Sequence, residues 1–376
     1  MWWWPIALAV PWVLLVLHDL GAIRRLRVLP GLPPAAPEPE VTVVMAVRDD
    51  EAHVVASVTR LLQQRHVRLR VIVVDDRSRD GTATTLARLA AADDRLTIVT
   101  VRELPPEWLG KSHALQQGAA NVATRWILFT DGDAQMREDT LARAIAGAER
   151  DGAHHVSLLP THRGTTFLGR ACLLAFHLTI LRRVAAVNDT PQRSFVGTGA
   201  FNLVRTDAWR AIGGHLPLRL EVVDDVWLGC LLFRAGFRTR VWFAANDLAI
   251  DWGGTPRQLL AVTTKNMFAV LRYRTAVAFG AIALFVLLVG ASVAGPWLAG
   301  PLGWLPFVAW CGGALPGMAF ARRMQWSAFA GALVPVTRCL LPIALLRSTW
   351  ITLRQGGVRW RGTFYPLAML RRGQVP

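Results

Sequence analysis

The apolar positions of this 376-residue chain fall into two patterns. The middle alternates short apolar runs with amphipathic stretches, while both ends carry long, nearly uncharged apolar runs. Positions 41–47, 70–74, 96–101 and 126–129 are rich in Val, Ile and Leu, as strands buried on both faces are. Between them, 51–64, 81–92 and 111–122 read as helices. This alternation predicts a mostly parallel sheet with helices on both faces. Ligands of such sheets bind beyond the carboxyl ends of the strands, so polar clusters at those ends are the candidates for chemistry.

The ends read differently. Positions 2–17 are apolar, and with 20–23 counted the run approaches the roughly 20 residues of a membrane helix. No charge precedes it and no small-residue cleavage site follows it, so it reads as an uncleaved anchor rather than a signal peptide. Arg24, Arg25 and Arg27 place its far side in the cytoplasm by the positive-inside rule. Five prolines within 30–39 then make a stiff linker. Near the other end, 276–293 and 304–320 are two apolar runs joined by an uncharged loop, with Arg274 before and Arg322 after. They predict a membrane hairpin with both outer ends cytoplasmic. Positions 329–346 are apolar but hold Pro335, Arg338 and Pro342. A charge in mid-membrane is costly, and the segment reads as interfacial or re-entrant.

Composition adds two things. A net charge of +16 suits nucleic acid or anionic lipid. The arginines flank the apolar runs and no nucleic-acid module is recognisable, which favours the membrane. Sixteen Trp against two Tyr suit interface anchoring. The four cysteines, Cys172, Cys230, Cys311 and Cys339, form no CxxC pair and read as buried, reduced thiols.

Three acidic clusters carry the candidate chemistry. Asp75-Asp76-Arg77-Ser78 follows the second strand, where carboxylates can accept hydrogen bonds from a nucleobase or ribose; Asp80-Gly81-Thr82 suits helix capping alone. Asp131-Gly132-Asp133 follows the fourth strand and can bind a hard divalent cation that bridges phosphate oxygens. Asp224-Asp225 stands at a helix start, where it complements the helix dipole and can also mount a general base. Gly197-Thr198-Gly199 reads as a turn able to line an acceptor site, or as a turn and nothing more. A dinucleotide-dependent oxidoreductase needs GxGxxG after the first strand, and Arg48-Asp49-Asp50-Glu51 stands there instead. A nucleotidyltransferase would share the metal carboxylates but not need the Asp224-Asp225 pair, and a non-enzymatic transporter subunit would not need the acidic cleft.

In this order the motifs resemble glycosyltransferase family 2 with the GT-A (nucleotide-diphospho-sugar transferase) fold, over roughly 41–273. Pro105-Pro106-Glu107-Trp108-Leu109-Gly110-Lys111 looks like the signature of a membrane-bound subgroup that includes hopanoid-associated and carotenoid glycosyltransferases. The 359–365 stretch resembles it too. Two departures stand out. Asp49-Asp50 replaces the usual Asn-Glu, and Ala269-Val270-Leu271-Arg272-Tyr273 is the nearest match to Gln-x-x-Arg-Trp.

The resemblance implies an inverting, hexosyltransferase-type enzyme, with donor contacts at Arg48, Asp75, Asp76, Lys111, Asp131 and Arg272. It implies Mg²⁺ or Mn²⁺ at Asp133 and Asp131, a base at Asp225 supported by Asp224, and an acceptor side at Gly197, Thr198 and Gly199. Expected partners are a nucleotide-sugar, with uracil the expected base, a lipid or lipid-linked acceptor and the membrane. No nucleic acid or obligate protein partner is expected. The alternatives are a membrane-bound nucleotidyltransferase and a polysaccharide-forming glycosyltransferase. The expected layout is an anchor at 1–23, a linker at 24–40 and a catalytic domain at 41–255. An interfacial helix at 256–274, a membrane hairpin at 275–323 and an apolar segment with basic tail at 324–376 follow. The expected location is the bacterial inner membrane, with the catalytic domain in the cytoplasm.

Overall fold

The computed structural model describes residues 3–33, 37–189 and 194–375. The first two residues of the expected anchor run and the centre of the linker, 34–36, lie outside the described residues. The chain divides into two compact units, each assembled from separated stretches. One comprises Arg27–Thr161, Ala186–Asp251 and Arg361–Pro376; the other comprises Met1–Leu26, His162–Ala185 and Trp252–Trp360.

The first unit is a mixed α/β unit built on a seven-stranded sheet. Its strands β1 (Glu40–Val47), β2 (Arg68–Asp76), β3 (Leu96–Val101) and β4 (Trp126–Thr130) run parallel in the order β3-β2-β1-β4. Strand Asn202–Arg205 then joins β4 antiparallel, and His155–Leu159 and Thr239–Phe243 complete the sheet. Period-two geometry sorts the continuous apolar run of β1 into two cores. Val41, Val43, Met45 and Val47 pack with Val54, Val58 and Ile145, whereas Val44 packs with Val74, Leu115 and Phe129. The helices α2 (Glu51–Leu62), α3 (Thr82–Ala92) and α4 (Gly110–Ala119) are the crossovers. Register places Val47 beside Asp75 and Met45 beside Thr130. The acidic clusters after β2 and β4 therefore leave the sheet at the same edge, the carboxyl edge, as the sequence pattern requires.

The second unit is dominated by apolar helices. Among the described residues, five helical stretches are long and apolar enough to cross a membrane: Trp4–Arg24, Phe167–Asp189, Thr275–Leu298, Gly300–Arg323 and Val334–Gln355. Phe167–Asp189 belongs to this unit as far as Ala185. Outward-facing side chains such as Leu287 (65% exposed), Leu298 and Phe329 make a surface suited to lipid, which fits membrane association. The second limb of the expected hairpin breaks at Gly312-Gly313, between Trp304–Cys311 and Ala314–Arg323. The 329–346 stretch is similarly divided among the helices Ala328–Ala332, Val334–Thr337 and Leu340–Gln355. Two polar contacts tie these helices together. The Trp12 indole donates to Ser292 Oγ at 2.9 Å. The Arg338 guanidinium, costly by sequence, is buried against Asp19, which Arg182 also approaches at 3.8 Å.

Candidate active site

The two loops that open the site interlock through their own polar groups. The Asp49 amide donates to Ser78 Oγ (3.0 Å), and the Arg79 amide returns a bond to the Asp49 carboxylate (2.7 Å). The Asp50 amide donates to Thr82 Oγ1 (2.9 Å), and Glu51 exchanges bonds with Asp80 and the Gly81 amide (3.1 and 3.0 Å). Asp49-Asp50-Glu51 and Asp80-Gly81-Thr82 thus hold the loop after β1 to the loop after β2. Buried Asp75 accepts from the Ser78 amide at 3.2 Å. Both oxygens of Asp76 are engaged by Arg77, at 2.7 and 3.1 Å. Arg48 points its Nε toward Asp49 at 3.6 Å.

The Pro-Pro-x-Trp-x-Gly-Lys segment delivers a lysine into the carboxylates. Leu109 is fully buried and its amide donates to the Arg219 carbonyl at 2.7 Å, which fixes where α4 begins. Glycine is required next: a Cβ on Gly110 would fall 2.3 Å from Asp76 Oδ2. Lys111 then lies with Nζ 2.8 Å from Asp131 Oδ1 and 3.5 Å from Asp224 Oδ1. Burial opposes its charge, but the carboxylates of Asp131, Asp224 and Asp225 outweigh burial and hold the ammonium above its ordinary range.

The glycine turn closes against the same group. The Asp131 amide donates to the Gly199 carbonyl at 2.9 Å, and a Cβ on Gly199 would lie 2.3 Å from the Asp131 carboxylate. Gly197 lies flat on the backbone of Asp225. The Thr198 hydroxyl is turned into the sheet, bonded to Ser157 Oγ and to the Leu158 carbonyl, so it braces the loop. A second brace escaped the sequence reading. His155 sits between Thr239 Oγ1 (3.2 Å) and Asn202 Oδ1 (3.1 Å), and burial keeps it neutral by pulling its pKa to about 4.

Asp225 is half-buried at the first turn of helix Asp224–Arg234, beside buried Asp224. Burial and the neighbouring Asp224 raise its pKa against the pull of Lys111. Asp133 is raised to about 6 by burial, by Asp131 and by Asp251. Asp251 was not singled out from sequence, although it directly follows the short strand Leu248–Ile250, the same signal that marked the other clusters. Among the described residues no set of three or more metal-ligating side chains converges. Asp131 and Asp133 nonetheless offer hard oxygen donors in a field of like charge that protonation or a cation must relieve, a donor set that fits a divalent cation. The structure thus gathers Lys111, Asp131, Asp133, Asp224, Asp225, Gly197 and Gly199, with Asp76 one residue removed through Gly110. Arg272 belongs to the other unit, in a left-handed turn (φ 55°) after helix Met267–Val270.

Residues 42–213 match the model of glycosyl transferase family 2. That match spans just under half of the chain. The 4,4'-diaponeurosporenoate glycosyltransferase of Staphylococcus aureus (strain USA300) is 26% identical over 192 residues, 50% of this chain and 50% of the relative. The chain thus spans about half the length of the curated relatives it matches. Among solved structures, the mannosyltransferase PcManGT from Pyrobaculum calidifontis, in complex with GDP-Man and Mn²⁺, aligns with a TM-score of 0.60 and 20% identity. The alignment covers 93% of this chain and 98% of that one. That likeness is one of fold: the mixed α/β arrangement with its mostly parallel sheet is GT-A-like.

Proposed function

We propose that this chain is an inverting glycosyltransferase that moves a sugar from a nucleoside-diphosphate donor to a hydroxyl of a lipid or lipid-linked acceptor at the cytoplasmic face of a bacterial inner membrane. The observation that carries this reading is the half-buried Lys111 ammonium held among Asp131, Asp224 and Asp225.

The donor's base and ribose are assigned to Asp75 and the loop that Arg48 begins, and its diphosphate to Lys111. Lys111 meets the phosphate charge as it already meets the carboxylates. Asp133 and Asp131 would hold Mg²⁺ or Mn²⁺. When bound, that ion supplies positive charge to the departing diphosphate. Asp225 accepts the proton of the acceptor hydroxyl, the hydroxyl oxygen displaces the diphosphate at the anomeric carbon, and configuration inverts. A base raised above the ordinary carboxylate range accepts that proton more readily at neutral pH. Asp224 keeps Lys111 in place beside it. Gly197 and Gly199 let the acceptor-side turn approach Asp225 and Asp131 closely.

The apolar helices support a membrane acceptor, and the arginine flanks support the cytoplasmic orientation. The carotenoid-modifying relative makes a carotenoid-like acceptor a first choice to test, with hopanoid and polyprenyl lipids beside it. The neighbour in complex with GDP-Man adds guanosine donors to uridine donors. The test is incubation of membranes containing the chain with labelled UDP- and GDP-sugars, with and without Mn²⁺, and mass spectrometry of the lipids. A lipid gaining one or more hexose masses supports the proposal. Transfer of the nucleotide itself would make the chain a nucleotidyltransferase, and sugar appearing only in polymer would make it a polysaccharide-forming enzyme.

A further inference from the structure

We infer that the C-terminal segment 361–375 is a strap that completes the donor site, with Arg361 and Tyr365 as positioning residues for the donor-binding loops. The inference rests on the glycosyltransferase reading and adds residues to it.

The strap touches three of the segments that lead into the site. Arg361 Nη1 donates to the Arg48 carbonyl at 2.5 Å, at the carboxyl end of β1. A Cβ on Gly362 would lie 4.0 Å from the Arg48 guanidinium. Tyr365 is buried (4% exposed), and its hydroxyl accepts from the Gly110 amide at 3.3 Å. That amide is the first of α4, one of the donors a helix start leaves without an internal partner. The next residue is Lys111. Farther on, Gly373 lies against Leu220, and the Val375 amide donates to Glu221 Oε1 at 2.7 Å. Leu220 and Glu221 lead into Asp224.

Two features separate this from a chain end that merely covers apolar surface. The contacts nearest the site are polar and aimed at the main chain of Arg48 and of Gly110, the residue before Lys111. Arg361 also holds a left-handed backbone (φ 45°), followed by Gly362 at φ 77°. A non-glycine residue there is uncommon and is retained where its surroundings determine it. What Arg361 gains is the bond to Arg48.

Tyr365→Phe removes one acceptor oxygen, and Arg361→Ala removes one exposed donor, so each tests position with little burden on folding. In detergent-purified full-length protein, each should raise the donor KM roughly five- to tenfold, the effect of about one hydrogen bond. The turnover number and melting temperature should stay close to wild type, and Arg361→Lys, which keeps a donor, should recover most of the loss. Unchanged donor KM in both variants, or a fall in melting temperature with turnover and no change in KM, would overturn the inference. Absence of sugar transfer by the wild-type chain would instead overturn the proposed function. The affinities of wild type and variants for UDP and GDP alone, measured by calorimetry, still decide the strap in that case: weakened binding supports it and equal binding overturns it.

Discussion

Lys111 Nζ stands 2.8 Å from Asp131 Oδ1, so one ammonium ties the carboxylate after the fourth strand to the helix that begins at Gly110. The pair is partly buried, and removing one member leaves the other charge unmet. Lys111→Met should lower kcat/KM by about 10²- to 10³-fold, the usual scale for one preorganised charge contact. Steady-state kinetics with varied donor measures it, and a loss below about threefold, far under that scale, would remove Lys111 from the donor site.

The same lysine sets a pH dependence. Asp225 must be ionised to act as a base, and burial with Asp224 raises its pKa. Activity should therefore fall on the acid side through a value above the ordinary carboxylate range. Lys111 lowers that value, so its removal should move the acid limb further toward neutral pH. A pH profile of kcat/KM for wild type and Lys111→Met reads both positions. An acid limb at the ordinary carboxylate value, unmoved by the substitution, would contradict the assignment.

Asp133 carries the metal prediction. Its carboxyl is raised to about 6 by burial, by Asp131 and by Asp251, so a cation that relieves this repulsion should stabilise the fold above that pH. Mn²⁺ should raise the melting temperature of the wild-type protein at pH 7.5, with less effect at pH 5, where protons compete. Asp133→Asn should abolish the shift. Equal shifts in both proteins would place the ion elsewhere.

Gly199 has no room for a side chain, because a methyl would lie 2.3 Å from the Asp131 carboxylate. Gly199→Ala should displace that carboxylate from Lys111 and lower activity at least tenfold, roughly the effect of misplacing a reacting group by an ångström. Its melting temperature should change little. Activity assays and thermal denaturation on the same preparation separate the two effects.

In the apolar unit, Asp19 and Arg338 form a buried pair. Asp19→Leu alone should destabilise by about 3–5 kcal/mol, because it strands the guanidinium. Asp19→Leu combined with Arg338→Met should recover most of that. Denaturation in detergent across the four proteins measures the coupling, and additive losses would show that the two residues are independent.

Much of this was legible in the sequence because one physical pattern produced it. A continuous apolar run such as 41–47 is possible only where both sheet faces are covered, and parallel connections bring the ends of β2 and β4 to one edge. Asp75 and Asp131 followed from that alone. Asp251 was missed because its strand has three residues and leaves almost no periodic signal. Tyr365 and Gly110 were missed as a pair because a hydrogen bond spanning 255 positions has no local signature. The direction of the Thr198 hydroxyl, inward to Leu158, is set by strands contributed from elsewhere in the chain. Arg338 looked misplaced in its apolar stretch because its partner, Asp19, lies at the other end of the sequence.

The most direct test compares Asp225→Asn with wild type in one preparation, following sugar appearing on lipid and, separately, nucleotide affinity. The account predicts a loss of transfer by about 10²- to 10⁴-fold, the contribution of a general base, with nucleotide affinity nearly unchanged. Transfer at the wild-type rate from Asp225→Asn would contradict it.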